Sequence, residues 1–282
     1  MRVTIKESKM SNTKSYSIGS SALQLNEFAE HLNTIDYSDC TRTLYLDGLR
    51  DYHKHGFTEI SIQNEIKYRE MLIAEGKKGR TVNARIHALN TYNKWLGLPI
   101  LKMLKINEDP FVKDAMELVD FHRLLDRLLA DGKYQWYIAI KLLASTGMRI
   151  GEAVGVTYGD FRKGSAIVYG KGQKPRTVYF SHTLRETLFM FIKDKSDDDR
   201  MIPYDPHYVR EAFRRIKKRY GIEVCCSPHE YRRFFAREMF EVTHDESLLK
   251  GLLGHESLRT TSHYIRKTEA QAMKLFARSQ NW

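Results

Sequence analysis

The sequence predicts a mainly α fold of the α+β class, in two helical parts with one small antiparallel β-sheet in the second. Three observations carry this. Apolar residues recur at three- and four-residue steps along most of the 282 residues. One stretch alone, SAIVYGKGQKPRTVYF, alternates as strands do. Between the two parts, LGLPILKMLKINEDP loses its periodicity and ends at Pro110, which places a linker at 97–111.

The elements follow in order. Residues 1–19 are polar and expected to be flexible. Residues 20–96 read as four helices. ALQLNEFAEHLN spaces Leu23, Leu25, Phe28 and Leu32 helically, and TRTLYLDGLRDYHKHG runs from Leu44 to Tyr52 before a Gly56 stop. SIQNEIKYREMLIAEGKKG supplies the third. RTVNARIHALNTYNKWLGLP, the fourth, has two stripes. Val82, Ile86, Leu89 and Leu96 form the apolar one, while Arg80, Asn83, His87, Asn90 and Lys94 share another face. That face suits a helix lying on DNA, and equally a solvated surface. In residues 112–282, DFHRLLDRLLADG and YQWYIAIKLLASTG open with two helices. The alternating stretch turns through Gly170-Lys171-Gly172-Gln173 as a hairpin with a basic tip, and helices continue to the end.

Composition narrows the partners. The net charge of +11 favours a polyanion, nucleic acid ahead of an anionic membrane. MRVTIKESKMSNTKSYS has no apolar signal region, and WYIAIKLLAS is interrupted by Lys141 and too short to span a bilayer. No membrane partner is expected. Cys40, Cys225 and Cys226 form neither a disulfide framework nor a zinc pattern, so an intracellular protein with reduced thiols is expected.

Several motifs carry chemistry, each ambiguous alone. Arg149 follows a Gly break in STGMRIGEAVGV with Glu152 three residues on, which an intrahelical ion pair also explains. In CSPHEYRRFFAREMF, Ser227 fits an N-cap, Pro228 the first helical position and Glu230 a capping box. His229 and Arg232 then stand one turn apart at a helix N-terminus, where a phosphate is favoured; a well-capped amphipathic helix is the alternative. Lys171 at the hairpin tip also reads as a solvated turn lysine. His255 in LLGH also reads as a packed helix-end histidine. Tyr264 closes the set in HYIR.

Together and in this order, Arg149 in TGMRIGE, Lys171 in GKGQKPR, His229 and Arg232 in HEYRR, His255 in LLGH and Tyr264 in HYIR resemble the tyrosine site-specific recombinases, the phage-integrase family. The likeness is strong over 112–270 and weaker over 20–96, which is similar to the family's helical core-binding domain. Ala153 and Tyr158 depart from the family's usual leucine and tryptophan, and Arg233 from its histidine. With only a short stretch before the first helix, no arm-binding domain is expected, as in two-domain members such as Xer-type recombinases and compact mobile-element integrases.

The resemblance implies a core-binding domain at 20–96 and a catalytic domain at 112–282 that act on double-stranded DNA recombination sites, in the cytoplasm on the nucleoid. It implies cleavage and rejoining through a 3′-phosphotyrosyl intermediate. Arg149 and Arg232 would grip the non-bridging oxygens bidentately and hold the charge that grows in the five-coordinate transition state. A tyrosine, with pKa about 10, needs its proton removed, and His229 is the candidate base for Tyr264. His255 would donate to a phosphate oxygen, Lys171 would protonate the leaving 5′-oxygen, and Glu152 would orient Arg149 or the active-site loops rather than react. No acidic cluster stands out for Mg²⁺; Asp197 to Asp199 read as solvated surface. No metal or cofactor is expected, and the stored phosphotyrosyl bond makes ATP unnecessary. The tail KTEAQAMKLFARSQNW is expected to form a helix exchanged between protomers of a DNA-bound tetramer, with docking on its own domain as the alternative. The rival functions are a type IB topoisomerase and an inactive DNA-binding regulator.

Overall fold

A computed structural model of the chain describes residues 16–17, 22–35, 37–105, 114–170, 174–255 and 257–279. The chain divides into two compact units, Met1–Glu108 and Asp109–Trp282.

The first unit contains helices α1 (Ala22–Thr34), α2 (Asp39–Lys54), α3 (Ile62–Ala74) and α4 (Gly79–Leu96), with strand β1 (Tyr16–Ser17) paired antiparallel to β2 (Glu59–Ile60). Ser38 and Ser61 start α2 and α3 by accepting the Thr41 and Asn64 N–H groups. Gly97, at φ +70°, ends α4 in the left-handed conformation. The apolar stripes meet in a core of Phe28, Leu32, Leu49, Tyr52, Tyr68, Val82, Ile86, Leu89 and Tyr92. Helices α2 and α4 approach closely because Gly48 has no side chain; a Cβ there would stand 2.4 Å from Ala88 Cβ.

The polar stripe of α4 is not one continuous open face. Asn90 and Leu101 exchange two hydrogen bonds, Nδ2 to carbonyl and N–H to Oδ1, both 2.8 Å. Asn83 and Leu104 repeat the exchange at 3.0 and 2.8 Å. Seven helical residues rise about 10 Å, which about three extended residues match. Two asparagines two turns apart therefore hold an extended segment running back along the helix. Leu98, Leu101 and Leu104 pack on the first core, so the sequence expected as linker begins as part of this unit. The expected DNA-facing set is corrected at Asn83 and Asn90, whose amides are committed to backbone; Arg80, His87 and Lys94 are exposed. Nearby, buried Glu65 accepts from Asn93 Nδ2 at 2.7 Å, and burial raises its carboxyl pKa to about 7.

The second unit is arranged around α6 (Tyr134–Thr146), buried along most of its length and flanked by α5 (Leu118–Ala130). Phe121, Leu124, Leu125 and Leu128 of α5 recur on one face and are all buried. After α6 come α7 (Ile150–Ala153), α8 (Tyr158–Lys163), the hairpin β3 (Ser165–Tyr169) and β4 (Pro175–Tyr179), and α9 (His182–Ile192). The hairpin is antiparallel in the register Ser165 to Tyr179 and Tyr169 to Pro175, with Ala166, Val168 and Val178 buried. Its tip, 171–173, lies outside the described residues. The chain continues through α10 (Pro206–Arg219), α11 (Pro228–Thr243), α12 (Glu246–Leu253), α13 (Leu258–Tyr264) and α14 (Glu269–Ser279). Helix α11 packs along α6. A separate cluster of Phe235, Ala236, Leu249 and Leu253, with Tyr264 and Ile265 against it, ties α12 and α13 to α11. No helix among the described residues is long and apolar enough to cross a membrane.

Candidate active site

Three breaks in the second unit deliver the functional side chains to one place. The first ends α6. Gly147 holds φ +62°, and a Cβ there would stand 2.4 Å from Phe235 Cδ1, so both the turn and the packing require glycine. Arg149 follows two residues later as the cap of the short α7. The second is the start of α11. Ser227 Oγ accepts the Glu230 N–H at 3.2 Å, and Pro228 opens the helix, which sets His229 and Arg232 in its first turns. The third ends α12, where left-handed Gly254 releases His255 before α13 presents Tyr264 as its last residue.

The capping box expected at Glu230 is only half present. Its carboxylate turns away from the Ser227 N–H and accepts from Met116 N at 3.3 Å and Arg237 Nη2 at 2.9 Å. Glu230 therefore fastens the approach to α5 onto α11. The sequence spacing fits either use of the carboxylate.

Arg232 is the centre of the site and is 1% exposed. Nη1 donates to Gly147 O at 2.5 Å, and Nη2 to Leu253 O at 2.7 Å and His255 Nε2 at 2.9 Å. All three acceptors are neutral, and among the described residues no carboxylate lies within ion-pair distance. Nε has no partner. Burial, together with the Arg149 charge, lowers the Arg232 pKa to about 10, so the group stays cationic at neutral pH. A buried cation without a counter-ion is costly unless an anion completes the site.

Arg149 is more open, with its side chain 38% exposed, and donates through Nη1 to Glu152 Oε1 at 3.0 Å. The Arg149 N–H reaches Glu152 Oε2 at 2.8 Å. Burial alone would raise the Glu152 carboxyl, but hydrogen bonds from Arg176 and Arg149 and the Arg176 charge outweigh it and hold it below the usual range. The ion pair that the sequence allowed between Arg149 and Glu152 is present.

An arginine can only donate, so His255 Nε2 accepts from Arg232, and Nδ1–H donates to the buried Thr261 Oγ1 at 3.0 Å. Burial and the Arg232, Arg149 and Arg176 charges lower the His255 pKa to about 4, which keeps the ring neutral. The expected hydrogen bond from His255 to phosphate is not the one this geometry makes. Here Nε2 is an acceptor and the ring orients Arg232.

The Tyr264 ring is half-buried among these groups. Its centroid lies 5.1 Å from His229, 4.8 Å from His255 and 5.7 Å from Arg232 Cζ. The side chains packed around the His229 ring partly shield it from water, and this, followed by the Arg233, Arg232 and Arg149 charges, lowers its pKa. Lys171 lies outside the described residues. The hairpin base beside it is close to the pair, since a Cβ on Gly170 would stand 3.7 Å from both Arg149 Nη1 and Glu152 Oε1.

The sequence reading missed Arg176, Thr261, Arg210 and Arg214. Arg210 and Arg214, four residues apart on α10, line a cavity of about 370 Å³ with Arg149, His229 and Arg232. Arg176 shares the inward face of β4 with Val178, and a charge in that register was the available signal. No pattern in the sequence marks Thr261. The site as a whole is a cationic pocket at a helix N-terminus, with His229 in its lining and the Tyr264 and His255 rings beside His229 and Arg232.

The chain belongs to the phage integrase family, whose model matches residues 114–271. Tyrosine recombinase XerA of Pyrococcus furiosus is 28% identical over 271 residues, covering 86% of this chain and 89% of the relative. Tyrosine recombinase XerC of Staphylococcus carnosus is 26% identical over 231 residues, covering 74% and 78%. Among solved structures, lambda integrase bound as a dimer to a COC′ core site has a TM-score of 0.70 at 17% identity, covering 88% of this chain and 96% of that one. The Tn1549 transposon integrase in complex with transposon right end DNA has a TM-score of 0.68 at 15% identity, covering 92% and 99%. The protein is a tyrosine recombinase, an enzyme of site-specific DNA recombination.

Proposed function

We propose that Tyr264 attacks a DNA phosphodiester to form a 3′-phosphotyrosyl bond and free a 5′-hydroxyl, which attacks back to rejoin the strand. The observation that carries this reading is the buried Arg232 guanidinium, held by neutral acceptors beside the Tyr264 ring. Arg149 and Arg232 take the two non-bridging oxygens, and the transition state, with its greater negative charge, gains more from them than the ground state does. His229 removes the phenol proton. Lys171 gives a proton to the leaving 5′-oxygen. His255 fixes Arg232. In the first unit Arg80, His87 and Lys94 of the core-binding domain contact the duplex, and the enzyme works on cytoplasmic, nucleoid DNA.

The base role of His229 has a definite pH dependence. The neutral ring is the active form, and its pKa lies below the ordinary value of about 6.5. Cleavage is therefore expected to stay level from pH 8 down past pH 6.5 and to fall only under the lowered pKa. Arg233→Ala removes one of the charges that lower it, so the acid limb of the single-turnover rate should move to higher pH. An acid limb unmoved in that variant would remove His229 from the base role.

The final helix joins four protomers in the same reading. Met273 and Phe276 of α14 remain 63% and 61% exposed, which favours docking on a neighbouring protomer over docking at home. Deleting residues 269–282 should preserve binding of a duplex bearing the recombination site but abolish the four-protomer synapse and strand exchange. Exchange at the full rate by the truncated chain would make the helix a cis-packed end. Supercoil relaxation by monomers of the full chain, with no exchange between two sites, would favour a topoisomerase.

A further inference from the structure

We infer that Arg176 is a positioning residue of the recombinase, joining the Arg149 clamp to the turn that carries His255. The inference rests on the assignment of Arg149 and Arg232 to the phosphate.

Arg176 stands on β4, just after the hairpin tip, and its side chain is only 12% exposed. Its two terminal nitrogens bind different elements. Nη2 donates to Glu152 Oε2 at 2.7 Å, and Nη1 donates to Leu252 O at 2.6 Å. Leu252 O is one of the last carbonyls of α12, which have no intrahelical partner. The next carbonyl, Leu253 O, is held by Arg232. Two arginines from distant parts of the chain thus bind consecutive carbonyls just before Gly254 and His255. The stem of Arg176 also packs on this turn, since a Cβ on Gly254 would meet Arg176 Cδ at 2.6 Å.

At the other end the charge count matters. Glu152, with its side chain 2% exposed, serves two guanidiniums at once. The trio carries one net positive charge. Without Arg176, the carboxylate would neutralise Arg149 alone, and the clamp would meet the phosphate with little net charge. A planar guanidinium can reach two acceptors on separate elements with fixed geometry, whereas a lysine ammonium is a single compact centre. Arg176 therefore sets both the charge available at Arg149 and the place of His255, and it does so from the strand that follows Lys171.

The test uses the full-length chain in single-turnover cleavage of a nicked suicide duplex bearing the recombination site, with duplex affinity and thermal unfolding measured alongside. R176M should slow cleavage by roughly 10²-fold while affinity changes by less than about threefold. Adding E152Q should then recover about tenfold, because the uncompensated carboxylate is gone while a carbonyl acceptor for the Arg149 N–H is kept. A merely structural arginine would not give that recovery. Should R176M fail to fold, R176K carries the test, and it should be slowed at least tenfold. Wild-type cleavage by R176M or R176K, or no recovery in the double variant, overturns the inference. Y264F run in parallel separates the two readings. An adduct formed by Y264F sinks the assignment of the site itself, whereas its absence beside wild-type cleavage by R176M sinks only the role of Arg176.

Discussion

Tyr264→Phe is expected to abolish cleavage, by at least about 10⁴-fold, while duplex affinity stays within about threefold of wild type. Only the attacking oxygen is lost. The ring keeps its place between His229 and His255 and over the Arg232 guanidinium, because those contacts are made by its carbon framework. The pocket and its charge are unchanged, so DNA is still bound and the scissile phosphate still held. Denaturing electrophoresis of the reaction on a nicked duplex reads the result directly. A covalent protein–DNA band in the Phe variant would mean that another side chain attacks.

The second large effect is at the two arginines. Arg232→Ala should slow cleavage by about 10³-fold, a loss of about 4 kcal/mol of transition-state stabilisation. It should also lower the melting temperature, since Gly147 O and Leu253 O lose a donor and His255 loses the group it orients. Arg149→Ala separates chemistry from stability. Arg149 is the more open of the pair, and its partner Glu152 keeps Arg176, so the fold should hold while cleavage falls by about 10²- to 10³-fold. Single-turnover rates with thermal melts of both variants check this. A wild-type rate in Arg149→Ala would place the phosphate elsewhere in the cationic cavity.

Much of the fold could be read directly because burial leaves a periodic mark. Phe121, Leu124, Leu125 and Leu128 recur at helical spacing and are buried together, and Val168 and Val178 alternate inward on the hairpin. The start of α11 was legible for a different reason. Ser227 and Pro228 are residue types whose chemistry suits one position, cap and first turn. The polar residues were less legible because spacing does not say what a polar group faces. Asn83 and Asn90 fit a DNA-facing stripe and an asparagine pair binding a returning strand equally well, and only the extended segment of Leu101 and Leu104 decides. Glu230 fits a cap and a tertiary anchor. The donor–acceptor sense of His255 depends on Arg232 and Thr261, and no local motif encodes it. Arg176 shows the same limit, since its two partners lie 24 and 76 residues away in sequence.

The central claim is that Tyr264 forms the covalent bond to DNA, and peptide mapping of the adduct tests it most directly. Trypsin cuts after Arg259 and Arg266 and releases TTSHYIR, in which Tyr264 is the single tyrosine. After trapping on a nicked duplex and nuclease trimming, fragmentation of this peptide should place the nucleotide mass on Tyr264. The mass on Thr260, Thr261, Ser262 or His263, or on a different peptide, would contradict the account.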